Sequence, residues 1–160
     1  MTQSATIVRP QARAARRLLA VIFLATILIG LNATMISIAL PTIVSDLGAT
    51  ADEGAWMLLA YLLLHGSMLV ASGQLGDAWS PGAVFRIGLI IFLGSAVMLA
   101  LVGGAGGFIA LRAVQGLAAA MLLSTAGAMI ALAFPRERIG HAMGVYLAGF
   151  AAAAGRLLVH

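Results

Sequence analysis

The chain has 160 residues, of which 62% are hydrophobic and 9% charged, and its mean hydropathy is +1.10. That balance excludes an ordinary soluble domain, and the absence of cysteine excludes disulfides and thiolate metal sites. The net charge of +4 comes wholly from arginine, and in so apolar a chain a basic excess signals topology rather than nucleic-acid binding. His65, His141 and His160 lie far apart, with no His-Glu-x-x-His, so no metal or cofactor is expected. No catalytic carboxylate pair or nucleophile motif argues for an enzyme.

Residues 1–17 form a polar tail with Arg9, Arg13, Arg16 and Arg17 and no acid, suited to an anionic cytoplasmic leaflet. The apolar run 18–40 is too long for a signal-peptide core of about 7–15 residues and reads as a retained first span, ended by Pro41. The segment to Gly54 carries Asp46, Asp52 and Glu53 but no arginine. A second span over 54–76 opens on Trp56, and Ser80, Pro81 and Gly82 mark the turn after it. The third span covers 83–102, a glycine-rich loop leads to the fourth at 107–133, and Phe134-Pro135 ends that one. A fifth apolar run, 142–155, is shorter than the roughly 20 residues that cross a bilayer.

Seven of the nine arginines fall in the tail, the Arg86 turn and the Arg136/Arg138 loop, all on one side if the spans alternate. The other side has three acids and no arginine. The positive-inside rule then places the amino terminus in the cytoplasm of a multi-pass cell-membrane protein.

Polar residues inside the spans are the candidate functional groups, because each is costly in hydrocarbon. Arg112 is the ionisable residue of the fourth span, and Gln115 and Gly116 share its helical face. It is expected either to pair, to face a wet cavity, or to snorkel to the interface. Asn32 in the first span lies at a depth within an arginine's reach, and its carbonyl oxygen is an acceptor. His65 is a second candidate because the unperturbed pKa of histidine lies near physiological pH; the alternative is a structural histidine hydrogen-bonded to a neighbouring helix. Asp77 reads as a turn and helix-end residue. Gly140 and Gly144 form a small-xxx-small pair suited to helix packing.

Several stretches together resemble one family. Leu31-Asn32-Ala33-Thr34-Met35-Ile36-Ser37-Ile38-Ala39-Leu40-Pro41 looks like Leu-Asp-x-Thr-Ile-Val-x-x-Ala-Leu-Pro, and Gly73-Gln74-Leu75-Gly76-Asp77 is similar to Gly-x-Leu-Ala/Gly-Asp. Arg112-Ala113-Val114-Gln115-Gly116 matches Arg-x-x-Gln-Gly, and the Trp56–Tyr61 spacing and Phe134-Pro135-x-x-x-Arg fit as well. The chain so resembles the major facilitator superfamily, in its drug:proton antiporter branch with fourteen spanning helices. The resemblance implies an all-α membrane protein: a bundle of four complete transmembrane helices plus a partial fifth, corresponding to the start of such a transporter's amino-terminal half. It also implies proton-coupled efflux of drugs or other small organic solutes, with Arg112, Gln115, Asn32 and His65 as transport or coupling residues. Gly73, Leu75, Gly76 and Asp77 would form a gating turn.

Three departures stand out. The turn after Asp77 lacks the family's arginines, and Asn32 stands where the branch commonly has an acid. Gly155-Arg156-Leu157-Leu158-Val159-His160 replaces Gly-Pro-x-x-Gly-Gly. The expected partners are the lipid bilayer, a small organic solute, protons and the missing remainder of the transporter, with no nucleic acid. The alternative is a non-transporting remnant, or a small membrane protein that assembles with other helices.

Overall fold

The computed structural model describes residues 4–155, with side chains from Ala15 to Ala148. Five helices follow one another: α1 (Ser4–Asp46), α2 (Ala51–Ala78), α3 (Pro81–Leu99), α4 (Ala105–Ala133) and α5 (Arg136–Gly155). No strand occurs among the described residues. Four helical stretches are long and apolar enough to cross a membrane: Ala15–Asp46, Ala51–Ala78, Pro81–Leu99 and Ala105–Ala133. The fold is therefore an all-α bundle of four spanning helices with a fifth beside them.

Local chemistry sets most of the helix ends. α1 closes at Gly48, which adopts a left-handed φ of 58° that side-chain-bearing residues avoid, while the Ala49 N–H reaches back to the Val44 carbonyl at 2.9 Å. Thr50 then opens α2 with a capping box: its hydroxyl accepts from the Glu53 N–H at 3.3 Å, and the Glu53 carboxylate accepts from the Thr50 N–H at 2.8 Å. Pro81 occupies the first turn of α3, where its missing N–H costs nothing.

Several boundaries differ from the sequence expectation, among them α2 (Ala51–Ala78, expected 54–76), α3 (Pro81–Leu99, expected 83–102) and α5 (Arg136–Gly155, expected 142–155). Helix α1 runs through Pro41 to Asp46 rather than ending there. Proline removes one backbone donor and leaves the rest of the ladder intact, and hydrocarbon penalises any uncoiled alternative far more heavily. The polar tail is also helical from Ser4 and continuous with the first span, as its run of alanine and arginine, both good helix formers, allows. The expectation for Arg156–His160 falls outside the described residues.

Helix α4 is the hub. It packs most extensively against α2 and next against α3, while α1 packs mainly against α5 and more lightly against α4 and α2. Its sequence explains the central place: Gly116, Ala118, Ala119, Ala120 and Ala126 are all buried, so backbones approach where larger residues would hold them apart. At Gly116 a Cβ would lie 3.0 Å from the Tyr61 carbonyl carbon and 3.1 Å from its Cα, closer than real side chains tolerate. Gly88 of α3 plays the same part from the other side, beside the Ala118 carbonyl. Large side chains seal the remaining space, among them Ile22, Ile29, Phe85, Phe92, Leu122 and Ile130.

The expected packing role of Gly140 and Gly144 is not seen among the described residues. Both are exposed, and no described atom lies within 4 Å of a Cβ built on either. Helix α5 instead meets the bundle through Ala142, Met143 and Tyr146. A small-xxx-small spacing says that a face can pack, not that it does.

Candidate functional site

Arg112 is 1% exposed, the largest fully buried side chain of the bundle. Its position on α4 is fixed by the Gly116 contact one turn on, which draws α2 close enough for the guanidinium to reach backbone. Its Nε donates to the Met57 carbonyl at 3.2 Å, and its Nη1 donates to Asn32 Oδ1 at 3.0 Å and to Gln115 Oε1. The Tyr61 ring lies under the guanidinium, 4.3 Å from Cζ to the ring centroid. Snorkelling is therefore excluded, because the head group turns inward and finds its partners on three helices. Hydrogen bonds to a charged group contribute about 1.5–3 kcal/mol each, and a desolvated cation–π contact about 2 kcal/mol.

The Met57 bond uses backbone for a reason. In a regular helix the Met57 carbonyl already accepts from the Tyr61 N–H, and a carbonyl oxygen has a second lone pair to offer. Asn32 is only half-buried, so the polar cluster approaches the bundle surface on the α1 side.

His65 sits one turn beyond Tyr61 on α2, and the two rings stack with centroids 5.7 Å apart and 24° between planes. The expected hydrogen bond from His65 to a neighbouring helix does not occur among the described residues: its Nδ1 is buried without a partner, and its ring stacks on Tyr61. Gln115 is fully buried, and its Nε2 likewise has no partner.

The structure thus gathers Asn32, Arg112 and Gln115 directly, and joins His65 to them through Tyr61. The second candidate group lies elsewhere. Gly73 and Gly76 face α4, where a Cβ would fall 3.8 Å from Ser124 Cβ and 2.9 Å from Thr125 Cγ2. Their immediate part in this bundle is close helix contact. Leu75 offers the carbonyl that takes the Trp79 N–H at 3.0 Å and closes α2. Asp77 is exposed and makes no side-chain hydrogen bond among the described residues. Sequence reasoning missed Met57 and Tyr61 as site residues. The available signal was the stripe Met57, Tyr61, His65 at successive four-residue steps on α2. Among the described residues no His, Asp or Glu cluster can hold a metal.

Spanning helices wrapped around a buried cation with partners on three of them define a multi-pass helical membrane protein. The chain belongs to the Major Facilitator Superfamily, whose sequence model matches residues 22–156. It is 37% identical over 147 residues to the puromycin resistance protein of Streptomyces alboniger, covering 87% of this chain and 28% of that one. It is 31% identical to an uncharacterized transporter of Escherichia coli, covering 81% of this chain and 30% of that one. It is 28% identical to the tetracenomycin C resistance and export protein of Streptomyces glaucescens, covering 82% and 25%. The chain therefore spans less than a third of the length of these relatives. The family is one of transporters, not enzymes.

Proposed function

We propose that this chain forms the opening helices of an exporter of small organic solutes, with the Arg112 cluster on its transport pathway. The observation that carries the proposal is the one buried cation among the described residues, bonded at once to α1, α2 and α4. Alternating access needs helices that exchange one set of contacts for another around a midplane site. A cation held by neutral oxygens from separate helices is suited to such an exchange. The relatives named for resistance and export support outward movement and small organic cargo.

Proton coupling belongs to the same proposal, with His65 as the exchanging group, since Asn32 cannot titrate. In the proposed orientation the amino terminus is cytoplasmic in the cell membrane. The exposed Arg86, Arg136 and Arg138 at the starts of α3 and α5 support this, as do Asp46, Asp52 and Glu53 at the junction of α1 and α2. A second reading is a membrane protein that assembles with other helices and does not transport by itself.

One experiment separates them. Puromycin accumulation is compared in sensitive bacteria carrying this chain alone, or this chain in place of the matching segment of the Streptomyces alboniger protein. Export by the chimera alone supports an opening segment that needs the remaining helices. Export by the chain alone shows a self-sufficient transporter. An inserted chimera that exports nothing overturns the proposal.

A further inference from the structure

We infer that the Arg112 cluster binds a monoanion, and that a small organic carboxylate is the ligand class it fits. This deepens the export proposal and rests on it only in placing the site on the transport pathway.

Arginine stays protonated in proteins, yet every polar partner of Arg112 among the described residues is neutral: the Met57 carbonyl, Asn32 Oδ1 and Gln115 Oε1, with the Tyr61 ring below. The chain has five acids, and none of them bonds to it. Glu53, one turn from Met57, is committed to the Thr50 cap. Asp46 and Asp52 lie at the α1–α2 junction, Asp77 at the far end of α2 and Glu137 in the first turn of α5. Buried charges are normally matched by an opposite charge, and none of the described residues supplies one to Arg112.

Gln115 gives the second, independent observation. Because Arg112 can only donate, the amide oxygen of Gln115 must face it, and the amide nitrogen is left pointing away. That Nε2 belongs to a fully buried side chain and has no acceptor among the described residues. An uncompensated cation and a free N–H donor therefore sit one helical turn apart, and both call for an oxygen carrying negative charge.

A carboxylate answers both demands, with one oxygen for the guanidinium and one for the amide. A dianion such as sulfate would leave one charge unmatched in the low dielectric, so the site selects monoanions. Access lies on the α1 side, where half-buried Asn32 gives up a neutral contact to an arriving charged one.

The test is thermal unfolding of the purified chain in neutral detergent, followed by Trp56 and Trp79 fluorescence. Benzoate, chloride and tetraethylammonium are each titrated at ionic strength held constant with sodium sulfate. Benzoate should raise the midpoint saturably, and tetraethylammonium should not. Arg112→Gln and Gln115→Leu should each weaken the apparent benzoate affinity about tenfold or more, as expected for losing a hydrogen bond to a charged group. Asn32→Asp places a carboxylate on Arg112 from within, so it should raise the baseline midpoint and abolish the benzoate response. That variant keeps the test decisive if Arg112→Gln does not fold. No benzoate response in the wild type, or an undiminished one in Asn32→Asp, overturns the proposal. A chloride response equal to that of benzoate overturns the carboxylate assignment in favour of a halide. Benzoate binding with an inactive chimera defeats the export proposal alone, and an exporting chimera with no benzoate response defeats this one alone.

Discussion

Gly116→Ala is the smallest change that should damage both the packing and the site. The new Cβ would fall 3.0 Å from the Tyr61 carbonyl carbon, 3.1 Å from its Cα and closer still to its oxygen. Those atoms are helix backbone and cannot swing aside, so α2 and α4 must separate. Overpacking of this kind costs about 1–3 kcal/mol. Separation also stretches the 3.2 Å bond from Arg112 to the Met57 carbonyl, a charged hydrogen bond that contributes about 1.5–3 kcal/mol. Together these place the loss near or above 3 kcal/mol. Gly94→Ala is the control, because nothing lies within 4 Å of the added carbon there, and it should stay within about 0.5 kcal/mol of the parent. The assay is reversible unfolding by sodium dodecyl sulfate in mixed micelles, followed by far-ultraviolet circular dichroism. If Gly116→Ala unfolds at the same point as Gly94→Ala, the close approach of α2 and α4 is not what holds the bundle.

Further outcomes can be checked in the same system. Gly76→Ala should destabilise through the 2.9 Å contact with Thr125 Cγ2, and Thr125→Ser, which deletes that methyl, should restore much of the loss in a double-mutant cycle. Thr50→Ala removes the hydroxyl half of the capping box, leaves the residue-50 N–H free to donate to Glu53, and should cost about 1 kcal/mol. Its mark is faster amide exchange over the first turn of α2 with the centre of the helix unchanged. Single cysteines at Ala49 and Ala78, in a chain that has no other cysteine, should label from opposite faces of the membrane, Ala49 from outside. Labelling of both from one face would contradict the alternation of spans.

The polar groups of the site were legible because hydrocarbon makes them conspicuous: Arg112, Gln115 and Asn32 stand out in apolar runs, and their matched depths suggested the contact that the structure shows at 3.0 Å. Its backbone and aromatic parts were not. Every residue has a carbonyl, so nothing distinguished that of Met57, and Tyr61 entered only through its spacing from Trp56. Glycine was the least legible residue. Gly116 and Gly76 touch neighbours while Gly140 and Gly144 face outward, and composition is the same in each case; only the rotation of each helix decides. Pro41 was misleading for a physical reason, since the rule that proline ends helices is learned in water, where an unwound backbone can hydrogen-bond to solvent. Near a membrane that option is costly, and α1 continues.

The central claim is that Arg112 serves transport as well as packing. It is tested most directly by puromycin efflux from cells carrying the chimera with Arg112→Leu, Arg112→Lys or Arg86→Leu, each scored at equal membrane abundance. Arg86 is exposed at the start of α3 and, among the described residues, bonds only to the Gly82 carbonyl at 3.2 Å, so its loss should leave efflux unchanged. Arg112→Leu should abolish efflux, and Arg112→Lys should fail to restore it fully, because one ammonium cannot reproduce the planar fork that reaches α1 and α2 together. Efflux at the parent rate from inserted Arg112→Leu protein would contradict the account.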